Sequence, residues 1–115
     1  MNTNWSDDIV IAELSDEPSL SEELAAIEAR VHDVPTPPHV VLNFGQVSYI
    51  NSSNIGQLLK LRLALSPKKR QLRICSVSED VWSVFMTAGL DKVFRFSPDP
   101  MSALASVQIE TGGER

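Results

Sequence analysis

Val40-Val41-Leu42-Asn43-Phe44-Gly45-Gln46-Val47-Ser48-Tyr49-Ile50-Asn51-Ser52-Ser53-Asn54-Ile55-Gly56-Gln57-Leu58-Leu59 reads as a strand, a turn, a polar junction and a helix in immediate succession. Val40 to Phe44 is almost continuously apolar, the pattern of a strand buried on both faces, and Gly45 permits a turn. Val47 to Ile50 is a second, shorter apolar piece. Asn51-Ser52-Ser53-Asn54 breaks it, and a helix is expected from Ile55 to Leu65, where Ser66-Pro67 stops it.

The same alternation extends in both directions. Upstream, Ile9-Val10-Ile11-Ala12 is a short apolar run with the character of a buried strand. Ser19, with Glu22 three residues on, has the form of a capping box. Leu20, Leu24, Ile27 and Val31 then share one helical face. Pro35, Pro37 and Pro38 end that helix and enforce an extended connection. Downstream, Gln71 to Val77 reads as a strand. Ser78 caps a third helix that buries Val81, Val84, Phe85 and Ala88 and ends at Gly89, which supplies a left-handed residue. Val93 to Phe96 is a last short strand, and Asp99-Pro100 opens a final helix carrying Met101, Leu104 and Val107. Strands alternating with helices imply an α/β domain, a central mixed β-sheet packed by about four α-helices. One domain is expected over residues 1–115, its core about 9–107, with loose ends at 1–6 and 111–115. Leu42, Phe44, Ile55, Leu59, Ile74, Val84, Phe85 and Leu104 are expected to share one core.

A chain of 115 residues with 43% hydrophobic residues is long enough to bury such a core. No apolar run approaches the roughly 18 residues of a membrane span, and Met1 to Ser6 lacks the basic-then-apolar pattern of a signal peptide. The single cysteine, Cys75, cannot pair internally and fits a reducing compartment, so a cytoplasmic location and no membrane partner are expected. The net charge of −5 argues against general affinity for nucleic acid. The charge is uneven. Residues 1–34 hold nine acidic groups and one basic group, Arg30, whereas residues 60–73 hold six basic groups and no acid. That basic run is a solvated helix end and turn, or a patch for an acidic partner surface.

Groups that could perform chemistry are sparse. His32 and His39 flank the proline-rich connection without a cysteine or carboxylate at metal-ligand spacing, so both are expected at the surface and no metal is expected. Cys75 lies in an apolar strand, as a buried structural thiol does. Glycine-rich phosphate loops, His-Glu-x-x-His pairs and Gly-x-Ser-x-Gly elbows are missing from the sequence. No catalytic residue and no cofactor are assigned, and the chain is expected not to be an enzyme.

The junction Asn51-Ser52-Ser53-Asn54 therefore carries the functional reading. A strand end followed by a helix start places unpaired backbone N–H groups and the positive end of a helix dipole around two hydroxyls. Taken alone, the four residues are also ordinary N-cap and turn chemistry. The helix behind them has more leucines than one buried face requires: Leu58, Leu59, Leu61, Leu63 and Leu65. Leu58 and Leu61, with Lys60 and Arg62, are expected to form part of a partner surface.

In context, residues 40–59 resemble the core signature of the STAS family, which comprises sulfate-transporter cytosolic domains and anti-sigma factor antagonists. Its pattern is a buried strand, a short apolar piece, then Asp-Ser-Ser-Gly opening a helix. Leu72-Arg73-Ile74-Cys75-Ser76-Val77-Ser78 is similar to the strand that follows. Phe85-Met86-Thr87-Ala88-Gly89-Leu90-Asp91-Lys92-Val93-Phe94 is similar to the family's helix, Gly-Leu and Phe segment. The resemblance spans roughly Ile9 to Val107 and implies a single STAS-like domain.

For function, the resemblance implies an anti-sigma factor antagonist, or anti-anti-sigma factor: a bacterial signal-transduction protein that docks on an anti-sigma factor. That partner is often a serine kinase of the histidine-kinase-like ATPase type. The phosphoacceptor then corresponds to Ser52, with Ser53 as fallback, and Asn51, Ser52, Ser53 and Asn54 form the switch loop; a serine phosphatase resets it. Asn51 stands where the family has Asp and loses its charge. Asn54 stands where the family has Gly, and asparagine is the side-chain-bearing residue that best tolerates a left-handed backbone. Two other readings are an interaction or scaffold module of this fold that no kinase touches, and a nucleotide or small-anion site at the helix N-terminus.

Overall fold

The computed structural model describes residues 2–5 and 8–112. Asn2–Trp5 forms β1, Ile9–Ser15 β2, His39–Gln46 β3, Leu72–Cys75 β4 and Arg95–Ser97 β5. The helices are α1 at Ser19–His32, α2 at Ser52–Leu65, α3 at Glu79–Thr87 and α4 at Pro100–Gly112, with one 3-10 turn at Ser66–Lys68. The strands lie in the order β1-β2-β3-β4-β5. β1 runs antiparallel to β2, and the other pairs are parallel. The sheet is thus mixed and the expected α/β architecture holds.

Strand periodicity divides the apolar residues between two faces. Val10, Ala12, Leu14, Val40, Leu42, Phe44, Leu72 and Ile74 face the larger cluster, which α1, α2 and α3 complete with Leu20, Leu24, Ile27, Val31, Leu58, Leu61, Leu65, Val81 and Phe85. On the other face Val41 and Cys75 meet Ala103 and Val107 of α4, with Ile9 and Ile11 beside them. The expectation of one shared core fails at Leu104, because the sheet itself lies between α4 and the other helices. Ile55, Leu59 and Val84 are partly buried against the larger cluster instead of inside it.

The ends differ from expectation. Asn2–Trp5 is not loose: it pairs with Val10 to Glu13 of β2, a backbone contact that hydrophobic periodicity does not announce. Thr111 and Gly112 continue α4. Met1, Ser6 and residues 113–115 lie outside the described residues.

Two local expectations are corrected as well. Ser19 and Glu22 form no capping box; Pro18 occupies the N-cap without a side-chain bond, and Glu17 Oε1 accepts instead from Ser21 N at 2.7 Å. His39 is not a surface residue but only 5% exposed, at the start of the central strand. Its Nδ1 accepts from Gln71 N at 2.9 Å, tying the entrances of β3 and β4 together.

Other features follow the sequence. Ser78 Oγ accepts from Val81 N, Gly89 takes φ +74°, and Asp99 Oδ1 accepts from Ser102 N at 2.7 Å. Part of the basic run closes a helix: Lys68 Nζ donates to the carbonyls of Val31, His32 and Val34 at 3.1, 3.1 and 2.9 Å. A cation suits the negative end of α1.

Candidate functional site

Parallel strands deliver their following loops to one end of the sheet, and the connections after β2, β3 and β4 meet there. The junction singled out in the sequence leaves β3 at that end, but it is not a loop. Asn51 is the N-cap of α2, with extended φ −118° and ψ 177°, and Ser52, Ser53 and Asn54 are already its first turn. The helix therefore starts three residues before the expected Ile55, because asparagine caps it from outside.

The cap is reciprocal. Asn51 Oδ1 accepts from Asn54 N at 2.9 Å, and Asn54 Oδ1 accepts from Asn51 N at 3.0 Å. This is a capping box with asparagine in the position usually held by Glu or Gln. Asn54 is fully buried, and its amide nitrogen donates to Glu17 Oε2 at 3.1 Å, with longer contacts to Ser21 Oγ and Gln57 Oε1. Gln57 Nε2 in turn donates to Ser21 O at 2.9 Å. The first turns of α1 and α2 are thereby joined through polar side chains.

Two consecutive carboxylates anchor the segment. Asp16 accepts from Ser48 N at 2.8 Å and Ser48 Oγ at 2.7 Å. Glu17 accepts from Ser21 N, the Ser21 hydroxyl and Asn54. Donation from Ser48 holds the Asp16 carboxyl below its ordinary pKa, and donation from Ser21, then Asn54, does the same for Glu17. Both are charged at neutral pH. Sequence reasoning missed this pair. The available signal was Asp16-Glu17-Pro18, two acceptors directly ahead of a helix start.

Ser52 and Ser53 are both exposed, at the positive end of a helix of 14 residues. Gly56, one turn further, is exposed, and a Cβ built there would meet nothing within 4 Å. Lys60, Arg62 and Leu63 continue the exposed side of α2, Leu63 being 65% exposed. Leu58 and Leu61 are not part of that surface. Both are fully buried, since they share the inward stripe with Leu65 at helical spacing. Leu63 is the surplus leucine that faces out. Tyr49, two residues ahead of the cap, is 64% exposed.

Nothing at this end forms a reactive constellation among the described residues. Cys75 is buried, and burial pushes its thiol pKa up, away from nucleophilic use. Among the described residues no group of three or more His, Cys, Asp or Glu could hold a metal ion, and no helix is long and apolar enough to cross a membrane.

Solved structures with this architecture include an anti-sigma-factor antagonist (STAS) domain protein from Planctomyces limnophilus. It is 16% identical with a TM-score of 0.79, over 93% of this chain and 97% of that one. RsbS from Moorella thermoacetica, as a variant, superimposes with a TM-score of 0.80 at 10% identity, over 96% of both chains. The Bacillus cell fate determinant SpoIIAA in its phosphorylated form gives 0.69 at 18% identity, over 92% of this chain and 97% of its own. At such identities the likeness is one of fold. Residues 8–103, however, also match the STAS domain by sequence, and they take in every strand from β2 to β5 and the whole Asn51–Asn54 cap. With fold and sequence signature in agreement, the chain belongs to the STAS domain family.

Proposed function

We propose that this domain is a cytoplasmic docking switch of the anti-sigma-factor-antagonist kind, controlled by phosphorylation of Ser52. The observation that supports this most is the position of Ser52: exposed, at the first residue of α2, immediately after its N-cap. A phosphate there sits on the favourable end of the helix dipole. The proposed partner is an anti-sigma factor that is also a serine kinase of the histidine-kinase-like ATPase type, opposed by a serine phosphatase. The docking face runs from Tyr49 through Ser52, Ser53 and Gly56 to Lys60, Arg62 and Leu63. Tyr49 and Leu63 offer apolar anchors, and Gly56 allows close backbone approach.

A second reading has its own support. The mutual cap of Asn51 and Asn54 is complete without an aspartate, so the same face serves equally as an interaction module that no kinase modifies. Incubation with the cognate kinase and ATP, site mapping, and binding assays on Ser52→Ala and Ser52→Asp separate the two. Phosphate on Ser52, with weak docking by Ser52→Asp alone, is the expected result. No phosphate on Ser52 or Ser53, together with wild-type docking by Ser52→Asp, replaces the switch with the unmodified module.

A further inference from the structure

The opposite end of the sheet, where β4 and β5 begin, carries a groove of about 680 Å³. Arg62, Lys69, Arg70 and Arg95 line it, with Leu72 and Phe94 among its apolar residues. No carboxylate is found among the described residues that line it. It lies at the far end of α2 from Ser52, roughly 20 Å away along 14 helical residues, and adjoins the proposed docking face at Arg62.

We propose that this groove is a second docking surface, one that takes an extended, carboxylate-rich segment of a partner protein. Arg62 and Lys69 are exposed on this open trough, while Arg70 Nη1 lies 3.2 Å from His39 Nε2. The combined positive charge of the lining suits several separate carboxylates, which an exposed arginine binds in paired hydrogen bonds. A compact phosphate ligand is a poorer match. Compact phosphate sites are built on converging backbone N–H groups, and the helix end at Leu65 and Ser66 supplies none. As the negative end of a helix it favours no anion, so the cationic side chains spread around the trough must hold the carboxylates. Single-stranded nucleic acid is disfavoured because the aromatic residue in the lining, Phe94, is 5% exposed and offers no face for stacking.

The inference does not depend on Ser52, and the test keeps the two apart. A labelled poly-glutamate peptide is titrated into the whole protein at physiological ionic strength, where loose surface attraction is largely screened. Saturable binding is expected, weakened about tenfold or more by Lys69→Glu with Arg95→Glu and unchanged by Ser52→Asp. Circular dichroism and melting confirm that the double variant is folded, and Lys69→Gln gives a smaller loss. The proposal is overturned by absence of saturable binding, by equal affinity in a folded double variant, or by tighter binding of a poly-dT oligonucleotide or inorganic phosphate. Self-association in sedimentation that the double variant abolishes overturns it in favour of a second copy.

Discussion

Asn51 and Asn54 cap each other, each side-chain oxygen accepting from the other's backbone N–H, at 2.9 and 3.0 Å. The two positions at which this chain departs from the Asp-Ser-Ser-Gly pattern are therefore one structural unit. Asparagine at the cap accepts as aspartate does. Asparagine three residues on brings an acceptor for the cap and a donor for Glu17, neither of which glycine has.

Unequal costs are expected from removing the two halves. Asn51→Ala loses one cap bond, about 1 kcal/mol. Asn54→Ala also empties a fully buried site and takes a donor from Glu17, so about 1–3 kcal/mol is expected. Urea melts of the two variants give the order directly. A larger loss at Asn51 would show that the buried amide contributes little.

Asp16 and Glu17 predict a pH dependence. Both carboxyls are held below their ordinary values of 3.8 and 4.5. A group whose pKa is depressed by folding contributes stability that is fully present above its unfolded pKa and is lost as pH falls through its folded pKa. Asp16→Asn and Glu17→Gln should therefore melt below wild type at neutral pH. The gap should close as the solution is acidified below the ordinary carboxylate range. A gap that is constant down to acid denaturation would mean that the lost hydrogen-bond geometry, not charge, is what matters.

How far the sequence foretold this depended on whether a signal was repeated. The inward stripe of α1, at Leu20, Leu24, Ile27 and Val31, recurs over several turns and was legible. So was β3, whose neighbours on both sides demand a continuous apolar run. Edge pairing by Asn2–Trp5 was not, because its bonds are made by the backbone. Leu58 and Leu61 were misplaced because five leucines on one helix admit more than one choice of buried face. The order of burial was settled only by packing against α1 and the sheet. Asp16 and Glu17 act across 32 and 37 residues of sequence on Ser48 and Asn54, a separation at which local patterns carry no information.

Phe85 tests the core where helix α3 meets the sheet. Its ring lies 5.1 Å from Phe96, 5.9 Å from Phe94 and 6.4 Å from Phe44 by centroids. Phe85→Ala should cost roughly 3–5 kcal/mol in denaturant melts. A loss below about 1 kcal/mol would mean that neighbouring rings collapse into the space.

Phosphorylation of Ser52 should change Glu17 before it changes the fold. The modification adds about −1.5 to −2 charges at the N-terminus of α2. The helix dipole favours each charge there by about 0.3–1 kcal/mol. Against that stands the ionised Glu17, hydrogen-bonded to Asn54 in the same helical turn. A like charge raises the pKa of a neighbouring carboxyl, so Glu17 should titrate at higher pH in the phosphorylated domain. These effects oppose one another, and the domain should remain folded with a melting temperature close to that of the unmodified form. In the docked interface there is no such balance. A charge desolvated without a partner costs about 2–5 kcal/mol, which corresponds to a roughly 30- to 4,000-fold loss of affinity. Carboxyl titration by NMR, melting and binding, each with and without phosphate, read the three quantities separately. An unmoved Glu17 would place the phosphate away from the cap. A collapse in melting temperature that matched the loss of docking would make release a consequence of unfolding, and the domain would not be a reversible switch.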